Sequence, residues 1–136
     1  MDAPAFENLD LACAKTGQAI AEKPSKELEK LVTSALAVLE EQGVYALFLF
    51  LETRGGKTAP TIVQEAHKLL RETPRRAPLL SDKGNSNDNG NGDIFKSLQS
   101  MSEDLDELLL ARDLLRQALV YARYHVRVPQ KAKART

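Results

Sequence analysis

Residues 102–128, SEDLDELLLARDLLRQALVYARYHVRV, constrain the fold of this chain more than any other stretch. The segment starts acidic, carries an apolar stripe through its middle and ends basic. At about 100° per residue, Leu108, Ala111, Leu114, Leu115, Ala118, Tyr121, Ala122, His125 and Val126 fall on one side of a helix. Arg112, Arg116, Arg123 and Arg127 fall within an arc of roughly 60° on another side, spread over about 22 Å of helical rise. Such a helix must bury one face against neighbours and has a second face to offer to something negatively charged.

The segments before it supply those neighbours. Residues 5–21 read as a helix with a modest apolar stripe, weakened by Gly17, which costs up to ~1 kcal/mol relative to alanine inside a helix. Pro24 breaks the pattern and Ser25 is placed to cap the next helix, residues 26–42. There Leu28, Leu31, Val32, Ala35, Leu36, Val38 and Leu39 form a broad apolar face opposite Lys26, Lys30 and Glu41, and Gly43 marks the end.

Residues 44–51, VYALFLFL, contain no polar side chain to reveal a period. A lone strand would leave its amides unpaired in the core, so the expectation is a short helix buried on most sides. The turn-rich TRGGKTAP follows; its GGK lacks the first glycine of a phosphate-binding loop and does not follow a strand. A helix over residues 61–72 with Ile62, Ala66, Leu69 and Leu70 inward is ended by Pro74 and Pro78.

Residues 81–92, SDKGNSNDNGNG, have nothing apolar to bury and read as a flexible low-complexity loop; they lack the terminal glutamate and ordered alternation of a calcium-binding loop. Residues 94–101 should form a short helical turn leading into the final helix, with Ser100 and Glu103 spaced as a capping box. The fold expected is all-α: one domain spanning 1–136, a compact bundle of about five to six helices with a long C-terminal helix, and a basic tail over 129–136.

Composition excludes several functions. The formal net charge is zero, so a uniformly basic nucleic-acid binder is not indicated and any electrostatic role must be local. The charge is unevenly spread: residues 114–136 hold six Lys or Arg and no Asp or Glu, while residues 1–73 hold eleven acidic and eight basic residues. The single cysteine, Cys13, excludes an intrachain disulfide and shares a helical face with Phe6, Leu9 and Ile20, which suits a buried hydrophobe. No signal peptide or membrane-spanning run is visible, so the cytoplasm is the expected location.

Catalysis needs polar groups that converge, and none are apparent. The only histidines, His67 and His125, lie in separate helical patterns without metal-ligand spacing, and no nucleophile, CxxC or dinucleotide motif occurs. No enzyme activity, cofactor, metal or small-molecule substrate is expected. The arginine stripe stands above that background. Arg123 and Arg127 have no carboxylate four residues away in their own helix, and guanidinium forks at one-turn spacing match the oxygens of a phosphate backbone. A solvated face with intrahelical pairs is the simpler alternative, and docking on an acidic protein partner is another.

Two stretches together resemble the small all-helical subunit of type III CRISPR effector complexes, in its RAMP-module (type III-B-like) form. Members have a helix ending in an Asn- or Gln-Gly pair, then an apolar aromatic run and a Lys- or Arg-Gly turn; EEQGVYALFLFLETRGG, residues 40–56, is similar. They also end in a long helix with an apolar and aromatic seam and a basic close, which RQALVYARYHVRV, residues 116–128, resembles. The family often has a tryptophan in the last helix and a strongly basic chain; here Tyr121 and Tyr124 occupy that neighbourhood and the net charge is zero, so a type III-D small subunit fits equally.

The resemblance implies a non-catalytic subunit that stacks in several copies along a ribonucleoprotein filament in antiviral defence. Its partners would be guide RNA, target RNA, the other effector subunits and neighbouring copies of itself. Arg112, Arg116, Arg123 and Arg127, with Lys131, Lys133 and Arg135 in the tail, are the residues expected to touch phosphate, and Lys26, Lys30, Arg54 and Lys57 form a weaker second group. The alternative is a helical adaptor or scaffold with no nucleic-acid role.

Overall fold

A computed structural model describes residues 8–54, 56–75, 78–80 and 91–128. These residues form six helices, and no strand occurs among them: α1 (Leu9–Ile20), α2 (Lys26–Gln42), α3 (Val44–Arg54), α4 (Ala59–Glu72), α5 (Asn91–Met101) and α6 (Leu105–Arg127). The all-α bundle with a long C-terminal helix is as expected. Segments 1–7 and 129–136, with Lys131, Lys133 and Arg135, lie outside the described residues, as do residues 81–90 of the low-complexity stretch.

Side-chain capping sets several helix starts. Asn8 Oδ1 accepts from the Leu11 amide at 2.9 Å, and Ser25 Oγ from the Leu28 amide at 3.0 Å. Each satisfies one of the amides that the first turn leaves unpaired. At the end of α2, Gly43 adopts φ 100°, and its amide donates to the carbonyls of Val38 and Leu39. That conformation favours glycine and turns the chain straight into α3.

The final helix is the hub, packing against α1, α2, α3 and α4, while α2 also packs on α3 and α1 on α4. Its buried face is Ala111, Leu114, Leu115, Ala118, Leu119 and Ala122. These meet a core that includes Leu28, Val32, Leu39, Leu47, Phe48, Leu51, Ile62 and Leu70. Small residues bring α1 closest to α6. A Cβ on Gly17 would lie 2.6 Å from Tyr121 Cβ, 2.7 Å from the Ala122 nitrogen and 2.8 Å from the Ala118 oxygen. The glycine that weakens α1 as an isolated helix is therefore what lets the two backbones touch.

Some boundaries differ from expectation. The structure does not use Ser100 and Glu103 as a capping box: Ser100 is inside α5, and Asp104 caps α6 by accepting from the Glu107 amide at 3.1 Å. Asn91 and Gly92, assigned to the loop, begin α5, which runs eleven residues rather than a single turn. Tyr45 and Phe95 hold it to α3 with ring centroids 5.4 Å apart, and Gln99 Nε2 donates to the Tyr45 hydroxyl at 3.2 Å.

The apolar run 44–51 is helical and covered on most sides, as expected, with Tyr45, Ala46 and Phe50 half-buried. Val44, Leu47, Phe48 and Leu51 point inward at helical spacing, while Leu49 is 44% exposed. After α4 the chain folds back: the Leu80 amide donates to the Leu70 oxygen at 3.1 Å, and both Leu79 and Leu80 are buried. The two leucines thus close the core beside the end of α4, a role hidden by the prolines around them.

Candidate nucleic-acid interface

The α6 arginines run along the flank of the helix that faces α2. Arg112, Arg116 and Arg127 are exposed and Arg123 is half-buried. Two of them are paired across the helix interface. Arg127 Nε donates to Glu29 Oε2 at 2.6 Å, and Arg116 Nε lies 3.3 Å from Glu40 Oε2. Arg116 also has Asp113 Oδ1 at 3.6 Å in its own helix. Among the described residues, no carboxylate pairs with Arg112 or Arg123.

These pairs fix the direction of packing. Glu29 lies in the first turn of α2 and Arg127 in the last of α6, whereas Glu40 lies near the end of α2 and Arg116 mid-way along α6. The two helices are antiparallel, and the first turn of α2 meets the basic end of α6.

The second basic group belongs to the same end. Lys26 and Lys30 are exposed on the first turns of α2. The turn after α3 also returns there, because a Cβ on Gly56 would sit 3.4 Å from Glu27 Oε2. That turn carries the exposed Lys57, and Arg54 at the end of α3 lies over the Phe50 ring, 5.4 Å from its centroid. Lys26, Lys30, Arg54 and Lys57 therefore lie at the same end of the bundle as Arg123 and Arg127, with Gly56 approaching α2 on the Glu27 side and Arg127 on the Glu29 side, while Arg112 and Arg116 extend the stripe along α6.

Glu29 and Glu40 do not stand out in the sequence as partners of the stripe. A single-helix pattern cannot name partners on a neighbouring helix; the available signal was that Glu29 and Glu40 are spaced like Arg116 and Arg127, about three turns apart in each case. Tyr124, 63% exposed and one turn before Arg127, adds an uncovered aromatic ring to the site. A ring of this kind beside guanidinium groups suits stacking on an unpaired base.

Tyr121 has a different role. Its hydroxyl donates to Asp10 Oδ1 at 2.8 Å, and Gln117 Nε2 reaches the same oxygen at 3.4 Å. The hydrogen bond to Asp10 raises the Tyr121 pKa, because loss of the phenolic proton would set two negative oxygens together. Cys13 is buried and its thiol donates to the Leu114 carbonyl at 3.4 Å. Burial, with a smaller contribution from Asp10, pushes its pKa up to about 11, the opposite of what a reactive thiolate requires.

Among the described residues no group of three or more His, Cys, Asp or Glu is arranged to hold a metal ion, and no helix is long and apolar enough to cross a membrane. His67 and His125 are both half-buried and stand on different helices. In comparisons with known proteins, no family model, curated protein or solved structure matches this chain.

Proposed function

We propose that this chain is a non-catalytic helical subunit of a cytoplasmic ribonucleoprotein, of the type III CRISPR effector kind, that supports guide and target RNA in antiviral defence and stacks beside other copies and subunits. The observation that carries this reading is that Lys26, Lys30, Arg54 and Lys57, far in sequence from α6, lie at the end of the bundle where α6 brings Arg123 and Arg127, and that Arg112 and Arg123 pair with no carboxylate among the described residues. Cations spread over two helices and a turn can hold a phosphate backbone by position, without reading sequence. Affinity would then fall with salt as counterions are released.

The ion pairs favour a second reading. If Arg116 and Arg127 serve only to clasp α2, the stripe is an intramolecular fastening and the protein is a helical adaptor with no RNA role.

Titrating fluorescein-labelled single-stranded RNA with the purified chain separates the two. The RNA reading expects salt-dependent binding that weakens at least ~tenfold in Arg112→Glu/Arg123→Glu, with the magnitude of the salt slope reduced by about 1.4, two contacts at ~0.7 each on a single strand. RNA binding absent at low salt, or unaffected by this double substitution, would leave the adaptor.

A further inference from the structure

The opposite end of α6 carries a surface that the RNA reading does not use. Leu105 and Leu109 are 66% and 40% exposed. They lie one turn apart, on the flank that farther along the helix bears the arginines. The exposure has a geometric cause. Arg116 pairs with Glu40 only two residues before α2 stops at Gln42, whereas α6 begins at Leu105. About 13 Å of α6 therefore runs past the end of α2, and the leucines sit where α2 no longer covers that flank. Leu108 and Leu110 beside them are half-buried.

The surroundings are acidic. Glu103, Asp104, Asp106, Glu107 and Asp113 are all exposed, and no Lys or Arg occurs from residue 97 to residue 111. An apolar ridge with a carboxylate rim is complementary to a helix that presents apolar residues at i and i+4 flanked by cations.

We infer that the first two turns of α6 dock a Lys/Arg-bearing amphipathic helix from a different polypeptide. A second copy of this chain fits less well. Among its described exposed large hydrophobics, Tyr124 alone lies at the basic end, and the guanidinium group of Arg127 there is held by Glu29. The inference does not rest on RNA binding: the basic turn lies at the other end of α6, and Arg112, one turn beyond Leu109 on the same flank, marks where the leucine surface meets the arginine stripe.

The probe is a pair of fluorescein-labelled synthetic helical peptides of equal positive charge, one with leucines at i and i+4 on one face and one with glutamines there. Fluorescence anisotropy with the full chain should show the leucine peptide binding at least ~tenfold more tightly. Leu105→Gln/Leu109→Gln should abolish that advantage while leaving the thermal melt unchanged, because both side chains face water. Equal binding of the two peptides, or binding indifferent to the double substitution, would overturn the inference. So would sedimentation showing a wild-type dimer that the same substitution dissociates, since that assigns the surface to a second copy.

Discussion

Arg127 Nε and Glu29 Oε2 lie 2.6 Å apart across the α2–α6 interface, and Arg116 repeats the contact with Glu40 about three turns away. The matched spacing makes two antiparallel helices register by charge as well as by packing. It also divides the arginine stripe: two guanidinium groups answer to carboxylates of the same chain, and two have none among the described residues.

The clasp should contribute little to stability. Arg127 and Glu29 side chains are 52% and 34% exposed, and exposed ion pairs couple by about 0.2–1 kcal/mol because water screens them and ordering two long side chains costs entropy. A double-mutant cycle on Arg127→Ala and Glu29→Ala, followed by urea unfolding, should return a coupling energy below about 1 kcal/mol. A value above about 2 kcal/mol would mean that the pair is far better shielded from water than its exposure indicates.

Gly17→Ala should destabilise the bundle although alanine is the better helix former. The propensity gain is at most ~1 kcal/mol, whereas the added methyl would meet backbone atoms of α6 at 2.7 and 2.8 Å, which no rotamer change relieves. The net loss expected is about 1–3 kcal/mol by denaturant unfolding, with α1 and α6 forced apart. Unchanged or increased stability would show that the helices separate without cost.

Alkaline pH should weaken the fold through Cys13. Its pKa is raised from 9.0 to about 11 by burial, so the folded state holds the thiol proton more tightly than the unfolded chain does. That contribution is fully present below pH 9, shrinks as pH rises and is lost above about 11, a change on the order of 2 kcal/mol. Tyr121, raised by its bond to Asp10, acts in the same direction above its ordinary range. Cys13→Ala should flatten the decline in unfolding free energy between pH 9 and 11; an unaltered slope would place its cause elsewhere.

How much of this was legible in sequence follows from which interactions are local. The α2 cap at Ser25 and the Gly43 terminus depend on residues within one or two turns and lie where the pattern placed them; of the expected α6 face, Ala111, Leu114, Leu115, Ala118 and Ala122 are buried, Leu108, Tyr121, His125 and Val126 are half-buried, and the buried Leu119 was not on it. Asp104 was visible as part of the acidic start of the segment but not as the cap, because Ser100 and Glu103 offered the same three-residue spacing one turn earlier. Gly17 looked like a defect because its benefit lies in contacts with Ala118 and Tyr121, about a hundred residues away. The candidate site divides in the same way. Its arginines follow from helical periodicity, but their Glu29 and Glu40 partners and the arrival of Lys57 beside α2 are products of the antiparallel packing of α2, α3 and α6.

Glu29→Gln/Glu40→Gln gives the two functional readings opposite signs. Removing both carboxylates frees Arg116 and Arg127 for phosphate and lowers the repulsion that an RNA backbone would meet at the α2–α6 flank. If the stripe binds RNA, affinity at fixed salt should rise about three- to tenfold, while the melting temperature falls by no more than the weak clasp allows. Glu65→Gln/Glu72→Gln on α4 changes net charge equally and should raise affinity much less, which separates a local release of arginines from a general gain in charge. If the stripe exists only to fasten α2, the first double substitution should cost a little stability and leave RNA affinity where the α4 control puts it. Anisotropy titrations of the three proteins at two salt concentrations distinguish these outcomes. An equal response in both variants would mean that Arg116 and Arg127 face no phosphate.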